Sequence, residues 1–257
     1  MNVNELQKIA EIVDTAAKDG NAIAQLSETY ELTLEEAYEV QALSMGRRYG
    51  RGEMQVGVKM GFTSRAKMVQ MGLDDLIWGR LTDKMLVEDG GEIDIADYVH
   101  PRVEPELAFL LKRPLYGNMT PFEAMEAVEA IAPAMEIIDS RYENFKFNLP
   151  DVVADNSSSS SFVIGNWNRP DQDFSNLGMV MEFDGRPVEI GSTASILGHP
   201  TRALVGAARM AAEAGMVLEE GWIILAGGAT AAAALSRGLN VRLDAENIGR
   251  VNFSTKA

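Results

Sequence analysis

The stretch that most limits how this chain can fold is PRVEPELAF, residues 101–109. Val103, Leu107, Ala108 and Phe109 give it the character of a buried strand, yet it carries Glu104 and Glu106 two positions apart. Residues i and i+2 of a strand project from the same face, so the two carboxylates lie side by side. Ionised carboxylates withdrawn from water lose hydration and repel each other, at a cost of several kcal/mol. Either the strand is an edge with a wet polar face, or a positive charge sits between the acids. A second segment favours the charge: in AMEIIDS, Glu136 stands alone among Ala134, Met135, Ile137 and Ile138. Three carboxylates on apolar strands suit a hard, oxygen-seeking cation such as Mg2+ or Mn2+. Zinc is poorly supplied, because the chain has two histidines, His100 and His199, and no cysteine.

Lys59, in VGVKMGFTS, is a second irregularity. Its neighbours Val56, Val58, Met60 and Phe62 are apolar, and Gly57 and Gly61 permit close approach of another backbone. It is either a strand lysine that snorkels to the surface or an ammonium at the end of a pocket. AGGAT, residues 226–230, follows an apolar run. It either turns the chain or presents backbone N–H groups to a carboxylate with help from the Thr230 hydroxyl. The serines at 157–161 supply hydroxyl donors or form a solvated loop, and His199-Pro200 leads into a helix.

The remaining features bound the class. A net charge of −15 repels a phosphate backbone, so no nucleic-acid partner is expected. The absence of cysteine fits a reducing compartment, and MNVNELQKIAEIV lacks the basic and apolar regions of a signal peptide, so a cytoplasmic location is expected. No apolar run reaches membrane-spanning length. With no repeat and no linker, the 257 residues are expected to form a single catalytic domain, 1–257, with a helical N-terminal portion over 1–52.

In that portion Leu6, Ile9, Ala10, Ile12 and Val13 fall at helical spacing, and Thr33 and Glu36 hold capping-box positions of a second helix ending near Gly50 and Gly52. A strand over 54–64 is followed by a short helix, 64–72, capped by Ser64. The run 84–99 reads as two strands paired through Asp89-Gly90-Gly91. Further expectations are a strand from Val103, a helix over 120–133 capped by Thr120, a strand at 134–140, a helix stopped by Gly215 and a closing hairpin over 239–254. Helices first, then many short strands with helices inserted, lack the alternation of a doubly wound sheet. The fold class is therefore α+β, with a mixed or largely antiparallel β core and packed helices.

In order and spacing, VGVKMGFTSRAKMVQMG, PRVEPELAF, AMEIIDSRYENFKF, VVADNSSS, LGHP and LAGGATAA resemble the fumarylacetoacetate hydrolase superfamily. Within it they are similar to the branch of 2-oxopent-4-enoate hydratases and 4-oxalocrotonate decarboxylases of meta-cleavage aromatic catabolism. The resemblance implies a mixed β-roll, Mg2+ or Mn2+ held by Glu104, Glu106 and Glu136, and Lys59 as the active-site lysine. Thr63, Ile77, Arg141, Ser158 and Thr230 are the candidate substrate contacts. Hydratases of the branch usually carry an acid in a P-D-[YF]-G turn, where this chain has DLIWG with Ile77. Together with GGATAA and IDSRYENFKF, this brings the likeness nearer the decarboxylases. The implied reaction is metal-dependent loss of CO2 from 2-oxo-3-hexenedioate, a 2-oxo dicarboxylate, giving 2-hydroxypenta-2,4-dienoate. The alternatives are a hydratase, an acylpyruvate hydrolase, for which histidine is scarce, and a non-catalytic metal-binding subunit. The resemblance also implies a homo-oligomer and a complex with a cognate hydratase.

Overall fold

A computed structural model of the chain describes residues 1–64, 68–69 and 75–257. Helix α1 (Val3–Asp19) is capped by Asn2, which exchanges reciprocal bonds with Glu5, and Gly20 closes it in the left-handed conformation. Helix α2 (Leu34–Gly50) carries the expected box between Thr33 and Glu36. Leu6, Ile9 and Val13 of α1 and Ala37 and Val40 of α2 bury their apolar faces in one cluster with Ile77, Tyr142, Val152 and Val153.

The next strands are β1 (Gln55–Gly61), β2 (Ile77–Thr82), β3 (Leu86–Val87), β4 (Glu92–Ile93) and β5 (Arg102–Leu111). Helix α3 (Pro121–Met125) leads into β6 (Val128–Ile138), and helix α4 (Leu149–Ala154) precedes β7 (Ser159–Ile164). Then come β8 (Gly178–Phe183), β9 (Arg186–Ser192), helix α5 (Thr201–Glu213), β10 (Ile223–Leu225), β11 (Ala233–Ala234), β12 (Asn240–Ala245) and β13 (Gly249–Thr255). One sheet runs β2-β1-β10-β5-β6-β7-β3 with β11 added to β5, and a second runs β4-β13-β12-β8-β9. The pairs β1–β10, β3–β7 and β4–β13 are parallel and the rest antiparallel, which gives the mixed α+β architecture expected of the sequence.

Strands β5 and β6 divide their two faces between stability and chemistry. Val103, Leu107 and Phe109 of β5 and Ile131, Met135 and Ile137 of β6 share a core with Met179, Met181, Leu243, Val251 and Phe253 of the second sheet. Each such side chain contributes about 1.5–3 kcal/mol on burial, which offsets the cost of acids on the other face. On that other face Ala108 and Ala134 join Leu81, Met85, Phe162 and Leu225. By strand parity Arg102, Glu104, Glu106 and Glu136 lie there too.

Two local expectations need correction. The strands flanking Asp89-Gly90-Gly91 do not pair with each other: β3 lies beside β7 and β4 beside β13. The turn forms, with Gly90 at φ +81 and its N–H donating to Asn252 O, but it hands the chain from one sheet to the other. The helix capped by Thr120 ends at Met125. Residues 128–138 extend instead, because a ladder from Arg102↔Ile138 to Leu111↔Val128 outweighs their helix preference. The helix expected over 64–72 lies largely outside the described residues. Among the described residues no helix is long and apolar enough to cross a membrane.

Candidate metal centre and substrate cavity

Glu104 and Glu136 stand directly opposite each other in the β5–β6 ladder. Glu106 follows two residues along the same face, and one carboxylate oxygen from each of the three lies within 4.8 Å of the others. Strand β1 brings Lys59 to this place through β10, its parallel neighbour, which pairs in turn with β5. Lys59 Nζ donates to Glu136 Oε2 at 3.0 Å. Immediately after β10, the Gly227 N–H donates to Glu106 Oε2 at 2.8 Å. This approach requires glycine. A Cβ on Gly228 would stand 2.3 Å from Glu104 Oε2, and one on Gly227, at φ +103, would stand 2.1 Å from Thr63 Oγ1.

Burial opposes the Lys59 ammonium, but Glu136, Glu104 and Glu106 outweigh it and hold its pKa above the ordinary lysine value. Burial, followed by Glu136 and Glu104, pushes the Glu106 carboxyl well above its usual range against the pull of Lys59 and the Gly227 N–H. Glu106 Oε1 and Glu136 Oε1 are buried with no hydrogen-bond partner. Such orphaned oxygens are costly. The donors are all oxygen, so the residues fit Mg2+ or Mn2+.

Lys59 and Glu104 open into a cavity of about 310 Å³, a volume suited to a small ligand. Ile77, Ile138, Val152, Phe145 and Phe147 form its apolar wall, and Thr63 and Ser158 also line it. Ile77 and Val152 belong to the cluster that α1 and α2 cover, so the N-terminal helices back this wall. Asn156, Ser157 and Ser158 have φ of +49, +52 and +59, three successive side-chain-bearing residues in the left-handed region. The Asn156 amide pairs with both the N–H and the C=O of Arg80, and Ser157 Oγ donates to Trp78 O. Ser158 Oγ is thereby held at the cavity, buried and without a hydrogen-bond partner.

Two candidate substrate contacts are not at the cavity. Arg141 is buried against Asp155, to which its backbone N–H and Nε donate, while Nη2 donates to Asp155 O. Burial raises the Asp155 carboxyl to about 6, with Arg141 pulling the other way. Thr230 donates its hydroxyl to Ala231 O, and the N–H of Gly227 in the same turn serves Glu106. Neither histidine lines the cavity; His199 Nδ1 accepts from the Thr201 N–H at the head of α5. Arg102, absent from the expected contacts, does line it, with Cζ 4.2 Å from the Phe145 ring centroid. The signal was its strand parity with Glu104 and Glu106.

Residues 60–254 match the fumarylacetoacetate (FAA) hydrolase C-terminal family. A 4-oxalocrotonate decarboxylase of a Pseudomonas species is 61% identical over 251 residues, 98% of either chain. The TodF product hydratase of Pseudomonas putida strain F1 is 37% identical over 226 residues, 86% of this chain and 84% of that protein. The solved 4-oxalocrotonate decarboxylase from Pseudomonas putida G7, complexed with magnesium and adipate, superimposes with a TM-score of 0.96 at 37% identity, over 99% of this chain and 98% of that one. The three glutamates fall inside the matched span and the likeness runs along nearly the whole chain, so this protein belongs to the fumarylacetoacetate hydrolase family.

Proposed function

We infer that this chain is a divalent-metal-dependent lyase that converts 2-oxo-3-hexenedioate (4-oxalocrotonate) to 2-hydroxypenta-2,4-dienoate and CO2. One observation carries the choice of chemistry. Among the described residues, Glu104 is the one carboxylate lining the cavity, and no histidine lines it. Adding water to a dienol, or hydrolysing an acylpyruvate, needs a general base set on a water molecule, whereas losing CO2 does not. Ile77, at the position where the hydratase turn carries an acid, is 4% exposed and apolar. Greater identity to the Pseudomonas decarboxylase than to the hydratase supports the same choice.

Glu104, Glu106 and Glu136 are the residues that would hold Mg2+ or Mn2+. When bound, the ion supplies a Lewis acid to a 2-oxo carboxylate group. The Gly227 N–H orients Glu106, and Lys59 donates to Glu136 from the cavity wall. Breaking the C5–C6 bond releases CO2, and its electron pair spreads from C5 through C3=C4 to the C2 oxygen, which takes up a proton. Lys59 is the proton-bearing cation in the cavity wall beside the glutamates, suited to stabilise charge at that oxygen. The wall of Ile77, Ile138 and Val152 keeps an apolar surface beside the reacting carbons, where neutral CO2 is tolerated as it forms.

The test is to supply purified protein and Mg2+ or Mn2+ with 2-oxo-3-hexenedioate and follow CO2 and the dienol. CO2 with dienol supports the assignment, while water addition to the dienol alone would make the protein a hydratase. Silence on both would leave a metal-binding subunit. The same inference treats residues 1–257 as one catalytic domain in the cytoplasm, self-associating and bound to a cognate hydratase. Supporting such contacts, edge strand β9 presents Val188 and Ile190, the latter 72% exposed. Sedimentation of the protein alone and with the hydratase tests both associations.

A further inference from the structure

We propose that Arg102, stacked on Phe145, is the recognition group for the second carboxylate of a dicarboxylate substrate, the one remote from Glu104, Glu106 and Glu136. This deepens the decarboxylase assignment and rests on it. Among the described residues, two cations line the cavity, Lys59 and Arg102. Lys59 is committed to Glu136 at 3.0 Å. Among the described residues, the Arg102 guanidinium has no carboxylate partner, and its contact is the Phe145 ring at 4.2 Å. In a chain with 38 acidic residues and a net charge of −15, a half-buried guanidinium facing a cavity without its own acid is set to receive an anion from outside.

Position and pre-organisation agree with this role. Arg102 lies two residues before Glu104 on one strand face, about 7 Å along the strand. That offset is comparable to the separation of the end carboxyl groups in an extended six-carbon diacid. Phe145 is presented by a strained turn, with Asn144 at φ +59 and Phe145 itself at φ +56. Phe147 and His100 flank its ring at 5.7 and 6.3 Å between centroids. Stacking on a fixed aromatic holds the planar fork ready for two-point contact with a carboxylate, which an ammonium cannot reproduce. When the carboxylate departs as CO2, the guanidinium keeps its aromatic partner, so the loss of the anion does not strand a charge. The contact therefore serves binding and selection more than the rate of bond breaking.

The experiment uses magnesium-loaded protein and two inert ligands, 2-oxoadipate and 2-oxohexanoate, which share the 2-oxo acid end and differ in the second carboxylate. Neither has the C3=C4 double bond through which the electron pair must pass. Calorimetry should show wild-type protein preferring 2-oxoadipate. Arg102→Met should weaken 2-oxoadipate about 10- to 100-fold and leave 2-oxohexanoate within about twofold. With 2-oxo-3-hexenedioate, KM should rise and kcat change little. Arg102→Lys, a second variant that preserves charge, should recover part of the preference. Retained 2-oxohexanoate binding certifies a folded site. A preference that survives Arg102→Met, or equal weakening of both ligands, overturns the proposal. The decarboxylase assignment fails on a different result, no CO2 from the wild-type protein.

Discussion

Lys59 Nζ lies 3.0 Å from Glu136 Oε2, with the lysine side chain 4% exposed and the glutamate fully enclosed. The pair joins β1 to β6, which β10 and β5 separate in the sheet, and it places a cation against the carboxylate that faces Glu104 across the ladder. Lys59→Met should lower kcat by about 10²–10⁴-fold, the usual worth of a positioned proton-transfer group. Mg2+ affinity should be equal or higher, because a competing positive charge is gone. Steady-state kinetics and calorimetry read the two effects separately, and near-normal turnover would remove Lys59 from the chemistry.

Metal removal should cost stability. At a hundredfold excess over Kd, an ion that binds only the folded state adds about 2.7 kcal/mol, which for a chain of this size moves Tm by about 5–10 °C. Melting curves with Mn2+ and with a chelator should separate by that amount, and Glu136→Gln should collapse the separation. Identical curves for the wild-type protein would contradict a site at the three glutamates.

Gly228→Ala should damage the site while sparing the fold. Its Cβ would meet Glu104 Oε2 at 2.3 Å, so the carboxylate must swing away from its two companions. Metal affinity should fall by about 10- to 100-fold, comparable to the loss of a supporting group, with an unchanged far-ultraviolet spectrum. Unaltered affinity would show that Glu104 is not a ligand.

How much of this was legible in the sequence depended on how far apart the interacting residues lie. The alternation that puts Glu104 and Glu106 on one face is a property of a single strand, and so is the capping box at Thr33 and Glu36. The engagement of Arg141 with Asp155 is not legible in the sequence, because a cation after an apolar strand looks the same with or without such a partner. The turn at Asp89-Gly90-Gly91 has the chemistry of a hairpin whether the flanking strands meet each other or leave for different sheets. Residues 128–138 carry helix-forming alanines and glutamates, and pairing with β5 decides their state.

Asp155 gives a pH signature of known sign. Its folded pKa of about 6 lies above the ordinary 3.8, so between those values the folded protein holds more protons than the unfolded chain. Stability from this group is therefore fully present below the unfolded pKa and is lost as pH rises through about 6. Asp155→Asn imitates the protonated form at every pH. The stability difference should shift in the variant's favour by up to about 3 kcal/mol between pH 4 and 7, read from urea unfolding. A shift in the other direction would mean that Arg141, and not burial, governs the carboxyl.

The division of labour across β5 and β6 also polices folding. A strand that slips by one residue exchanges its faces. In this chain a slip of β5 would drive Glu104 and Glu106, and a slip of β6 would drive Glu136, into the layer held by Val103, Leu107, Ile131 and Met135, which among the described residues is apolar. Misregistered intermediates thus carry a penalty that a purely apolar strand pair would not impose. The acids that make the site reactive also proofread the assembly of the sheet that holds them.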